Sequence, residues 1–110
     1  MKHDILERQG ARIVVFKGEI DLDSSPAARK ILLKCFDKTG NVIVDLSGVT
    51  YIDSSGVASL VEALQAAKNK GSRFSLAAVS EPTRRVLELA RLDKVFTLHD
   101  SIDEALATRV

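Results

Sequence analysis

The sequence predicts an α/β fold: a mixed, mostly parallel sheet with an initial antiparallel hairpin and about four helices packed against it. Three observations carry this. Short β-branched runs recur along the chain, and most of them are followed by stretches whose apolar residues repeat at helical spacing. Clusters of Gly, Ser, Asn, Asp and Pro punctuate the changes of period. The chain has 110 residues and is 45% hydrophobic, which suffices for one core and therefore one domain spanning residues 1–110.

Residues 4–8 (DILER) and 12–17 (RIVVFK) read as two strands, the second ending at Gly18. The bridge Gln9-Gly10-Ala11 is short enough for a hairpin, so this pair is antiparallel. Asp23-Ser24-Ser25-Pro26 starts a helix, because Pro is accommodated in a first helical turn. Ala28, Ile31, Leu32, Cys35 and Phe36 then fall on one apolar face, which makes Cys35 a buried, inert thiol. VIVDL at 42–46, bounded by Ser47-Gly48, reads as a strand buried on both sides, as a parallel sheet requires. After Gly56, the residues Val57, Leu60, Val61 and Leu64 follow the helical period, with Ser54 or Ser55 as the expected cap and Gly71 as the stop. Residues 74–79 form the next strand, and Ser80-Glu81-Pro82 begins a helix carrying Val86, Leu87, Leu89 and Ala90. Residues 95–98 read as a short last strand. Ser101 and Glu104 make a capping box that opens a final short helix through Leu106. From the first helix onward strands and helices alternate, which implies parallel strands joined by right-handed crossovers.

Composition excludes several classes of function. Lys plus Arg is 16 and Asp plus Glu is 15, with no basic cluster to follow a phosphate backbone, so direct nucleic-acid binding is not expected. No apolar run approaches a membrane span, and MKHDILERQG lacks the apolar stretch of a signal peptide. A lone Cys forms no internal disulfide, so the expected location is cytoplasmic. His3 and His99 stand far apart with no ligand spacing, and no nucleotide-binding glycine motif is present. No metal, cofactor or catalytic residue is therefore expected.

One segment concentrates chemical interest. Asp53-Ser54-Ser55-Gly56 lies between a buried strand and an amphipathic helix, where open α/β folds place their sites. Backbone N–H groups and the positive end of the helix dipole converge there and suit a phosphate. An ordinary helix cap would use the same residues. A nucleophilic serine fits less well, because the hydrolase elbow needs a glycine where Ile52 stands, and His99 would have to be the base. A receiver-type phosphoaspartate at Asp45 would need an acidic pair such as Glu19 and Asp21 to hold magnesium, and it lacks the usual Lys after the last strand.

Gly18-Glu19-Ile20-Asp21, VIVDLSGVTYIDSSGV at 42–57 and KVFTLHDSIDEAL at 94–106 together resemble a STAS domain, in the branch of bacterial anti-sigma factor antagonists. The resemblance runs from about residue 5 to about residue 106. It implies a STAS-like sheet and a partner switch rather than an enzyme. In that family the Ser directly after the Asp is phosphorylated by the partner, an anti-sigma factor serine kinase; here it is Ser54. The resemblance implies a partner surface of Asp21, Asp53, Ser54, Ser55 and Gly56, with a serine phosphatase resetting the switch. Gly56 would let a partner's phosphates or backbone come near Ser54, either directly or through a left-handed backbone that a Cβ would strain. The alternative implied by the same resemblance is a non-phosphorylated binding module of a lipid or anion transport assembly. There are two departures from the pattern: Val57-Ala58 where Leu-Gly is common, and Arg91 where a Gly is common.

Overall fold

The computed structural model describes residues 1–36 and 40–108. Strand β1 (Lys2–Arg8) and strand β2 (Ala11–Ile20) form the antiparallel hairpin. Its turn is Gln9-Gly10 alone, with φ of 51° and 78°. Two consecutive positive φ values give the turn twist that suits a two-residue hairpin, and Gly10 takes its value without strain. Helix α1 (Ser25–Cys35), strand β3 (Asn41–Ile52), helix α2 (Ser54–Lys70), strand β4 (Arg73–Ala77), helix α3 (Glu81–Leu89), strand β5 (Leu98–His99) and helix α4 (Ile102–Ala107) follow in order. The five strands lie in the order β1-β2-β3-β4-β5, and every pairing after the hairpin is parallel.

The sheet has a core on each side, because alternate residues of a strand face opposite ways. Val14, Phe16, Val42, Val44 and Leu76 face a large core completed by Leu32 of α1, Leu60 of α2 and Leu87 of α3. Ile13, Ile43 and Ala77 face a smaller one closed by Ala105 and Leu106 of α4. Cys35 lies in the larger core at 1% exposure, as its helical spacing predicts. Gly71 ends α2 in the left-handed conformation, and the Ser72 N–H donates to the Ala67 carbonyl at 2.8 Å, a Schellman-type stop. Ser101 accepts the Glu104 N–H at 3.0 Å, so half of the predicted capping box forms. The Glu104 carboxylate lies near His99 instead.

Several boundaries differ from the sequence reading: β1 begins at Lys2 rather than at residue 4, β4 runs from Arg73 to Ala77 rather than over 74–79, and three further differences shape the site and the sheet edge. β2 does not stop at Gly18 but runs to Ile20, and β3 does not stop at Leu46 but runs to Ile52. The glycines that look like terminators sit at bulges. Between Val15↔Asp45 and Lys17↔Gly48, and again between Gly18↔Val49 and Glu19↔Tyr51, β3 advances one residue more than β2. Gly18 absorbs the distortion at φ 89°, and a Cβ on Gly48 would fall 2.9 Å from the Lys17 side chain. The last strand is Leu98–His99 rather than 95–98, because Val95 and Phe96 turn back to donate to the Leu92 carbonyl.

Candidate functional site

The extended strands build the site. Their register ends on the pair Ile20↔Ile52, so Asp21 and Asp53 are the next residues of two adjacent parallel strands. The Asp53 N–H donates to the Ile20 carbonyl at 3.3 Å, which ties the two strand ends together.

Asp53 is the cap of α2; the expected Ser54 or Ser55 cap is not what forms. Asp53 Oδ1 accepts the N–H groups of Ser55 (3.0 Å) and Gly56 (3.1 Å) and the Ser55 hydroxyl (2.6 Å). A carboxylate satisfies more of the free amides of a first turn than a hydroxyl can, which explains why it takes the cap position. The Ser55 hydroxyl contributes most to holding the Asp53 carboxyl below the ordinary aspartate value, with the Gly56, Ser55 and Leu22 amides adding to it.

The two serines thereby become different. Ser55 is half-buried and its hydroxyl is committed to Asp53. Ser54, the first residue of α2, is exposed, and among the described residues its hydroxyl has no partner. The helix behind them is anchored: the Ser59 hydroxyl, buried against α1, donates to the Ser25 carbonyl at 3.1 Å, and Arg29 pairs with Glu62.

Asp21 organises the loop that leads into α1. Its Oδ1 accepts the N–H groups of Asp23 (3.1 Å) and Ser24 (3.0 Å), and Ser24 Oγ in turn accepts the Asp21 N–H at 2.9 Å. Hydrogen bonds from the Ser24 amide and hydroxyl hold the Asp21 carboxyl below its ordinary value. Ser24 is therefore an organiser of the site that the sequence reading missed. The signal was available in the Asp21-to-Ser24 spacing, which suits a side-chain-closed turn. The apolar rim was also missed: Leu22, beside Asp21, is 73% exposed.

Gly56 has a different reason from the one expected. It is buried, and its φ is not positive, so no left-handed backbone is involved. A Cβ there would fall 2.6 Å from the Ile20 carbonyl oxygen and 2.6 Å from Ile52 Cγ1. The close approach it permits is between α2 and the chain's own strand ends.

The receiver arrangement does not form. Asp45 lies opposite Val15 in mid-strand, whereas Glu19 lies opposite Tyr51, six residues further along β3. Glu19 is only four residues beyond Val15 on β2, because β3 spends two residues in bulges, and at about 3.3 Å per residue this still separates Asp45 from Glu19 by roughly 13 Å, too far to share an ion. Asp45 instead accepts the Ser47 N–H at 2.8 Å beside the first bulge. Among the described residues no cluster of His, Cys, Asp and Glu could hold a metal ion.

The model of the STAS domain family matches residues 2–105. The chain belongs to the STAS domain family. Within it, the chain is 30% identical over 97 residues to the anti-sigma-B factor antagonist of Listeria monocytogenes, covering 86% of this chain and 85% of that one. It superimposes on the crystal structure of a putative anti-sigma factor antagonist from Thermotoga maritima with a TM-score of 0.87 at 24% identity, covering 94% and 91% of the two chains. Its fold also matches the Bacillus cell fate determinant SpoIIAA in its phosphorylated form, with a TM-score of 0.74 at 17% identity over 96% of each chain. The STAS fold thus accounts for the strand order, the early hairpin and the long β2–β3 pairing that brings Asp21 beside Asp53.

Proposed function

We propose that the chain is an anti-sigma factor antagonist that works by partner switching, with Ser54 as its phosphoacceptor. Unphosphorylated, it binds an anti-sigma factor serine kinase through Ser54 and the surface around Asp21, Asp53 and Leu22. The kinase transfers the γ-phosphoryl group of its own ATP to the Ser54 oxygen, releasing ADP and a proton, and the complex dissociates. A serine phosphatase restores the hydroxyl. Ser55 and Gly56 act from behind this surface, Ser55 by fixing the Asp53 carboxylate and Gly56 by letting α2 sit against β2.

The observation that carries this reading is the contrast between the two serines. Ser54 offers a free, exposed hydroxyl at the start of a 17-residue helix, while the Ser55 hydroxyl is held at 2.6 Å by Asp53. The same contrast favours a phosphorylated switch over a non-phosphorylated transport-assembly module, which has no use for an accessible serine. A phosphoryl group adds about 1.5 to 2 negative charges at neutral pH. The helix dipole favours that charge within this domain. An interface formed around a hydroxyl and two carboxylates opposes it through like-charge repulsion and desolvation.

The test is incubation with anti-sigma factor kinases of the same cell and Mg-ATP, followed by mass spectrometry of the segment from Asp53 to Lys68. The expected product carries one phosphate, on Ser54. Phosphate on Ser55 with Ser54 unmodified overturns the assignment.

A further inference from the structure

A second polar site lies away from Ser54, where β5 fails to cover β4. β4 begins at Arg73, but β5 pairs only with Leu76 and Ala77. The ladder alternates: the Arg73 N–H donates to Gly40 on the β3 side, while those of Leu76 and Ala78 donate to Thr97 and His99 on the β5 side. The alternation turns the Phe74 amide to the β5 side as well, where β5 has not yet begun. The result is a cleft of about 250 Å³ along the open edge of β4, between α2 and α4.

The groups facing this cleft share one chemistry. Ser75 is only 8% exposed, lines the cleft, and its hydroxyl has no protein partner among the described residues. The hydroxyl is open to the cleft rather than sealed from solvent, so a ligand there can take it up. His99, 9% exposed, lines the cleft with Nδ1 turned toward Glu104 Oε1 at 3.4 Å. Lys68 of α2 stands on the opposite wall and makes no ion pair among the described residues. No Asp or Glu lines the cleft, and Leu64, Ala67 and Ala105 give it an apolar lining beside these donors.

We propose that this cleft binds a small organic oxyanion, a carboxylate or phosphate monoester on a short apolar stem. Lys68, the Ser75 hydroxyl and the Phe74 amide hold the oxyanion, and the stem lies against Leu64, Ala67 and Ala105. Sites for drug-sized ligands run from about 300 to 1,000 Å³, so this cleft falls just below that range and suits a small ligand. The site lies beside Asn41, the first residue of β3, whereas Ser54 follows the last, so it is separate from the proposed switch.

The test is an amide NMR titration with acetate, butyrate and inorganic phosphate, each against chloride at equal ionic strength. Saturable shifts are expected at Phe74, Ser75 and His99, with butyrate binding about tenfold tighter than acetate through its two buried methylenes. Ser75→Ala and Lys68→Gln are each expected to weaken binding about tenfold, while Lys30→Gln, on α1, leaves it unchanged. Lys68→Gln alters an exposed side chain and keeps the test decisive if Ser75→Ala does not fold. Saturation by phosphate alone supports the site and assigns it to phosphate esters. Absence of saturation with all three probes, or affinities equal to the parent's in Lys68→Gln, overturns the proposal.

Discussion

Ser54 and Ser55 share one side chain and adjacent positions, and their different environments come from a single carboxylate oxygen. Asp53 Oδ1 takes the Ser55 hydroxyl and two amides, and leaves Ser54 outside that set. Ser54→Ala is therefore expected to keep the parent's stability within about 0.5 kcal/mol while losing phosphorylation. Ser55→Ala is expected to lower stability by about 1 kcal/mol and to remain a substrate. Paired thermal melts and kinase assays separate the two. Gly56→Ala is the sharpest single-atom test. Helix propensity alone favours Ala by about 0.8–1 kcal/mol, but the added Cβ meets a backbone carbonyl oxygen that cannot move without shifting the end of β2. The variant is expected to be destabilised by about 1–3 kcal/mol, measured by urea unfolding. Equal or greater stability would mean that the strand end yields easily.

The Asp53 and Asp21 carboxyls give the same region a pH signature. Both are held below the ordinary value of 3.8 by hydrogen bonds present only in the folded chain. A lowered folded value stabilises the protein above 3.8, and that contribution is lost as pH falls through the lowered value. The stability gap between the parent and Asp53→Asn should be full at neutral pH and shrink as the pH drops below 3.8. A gap that stays constant into acid would show that the Asp53 charge has no part in the cap.

At the scale of elements, local pattern made most of the fold legible and failed where long-range pairing took over. The helical spacing from Val57 to Leu64 and the stop at Gly71 are properties of one segment, so they could be read directly. Gly18 and Gly48 look like terminators to a local reading. Only the register of β2 against β3 reveals them as bulges inside longer strands. That misreading hid the reason Asp21 and Asp53 are neighbours, which the family resemblance implied and local pattern could not. Arg91 shows the reverse. Its departure from a commonly glycine position is visible in the sequence, and the structure gives the cause: φ is 59°, left-handed, at the turn after α3. Left-handed backbone costs a non-glycine residue about 1–2 kcal/mol, part of which glycine's greater freedom in the unfolded chain offsets. Arg91→Gly should therefore raise stability by up to about 1 kcal/mol in chemical denaturation. A loss would mean that the Arg91 side chain makes a compensating interaction.

At the scale of the whole molecule, the proposed partner switching needs no conformational change in this chain. The site is fixed from three directions, by the β2 end, the Asp21 turn and the α1–α2 packing around Ser59. The proposed switch would then be a change of surface charge on a rigid frame, and its effect should appear in affinity rather than in fold. The direct measurement is calorimetric titration of the anti-sigma factor with the unphosphorylated protein and with the same protein phosphorylated at Ser54. At least a tenfold loss of affinity on phosphorylation, about 1.4 kcal/mol or more, is the predicted result, with the amide NMR spectrum changed only around Ser54. Equal affinity of the two forms would contradict the account.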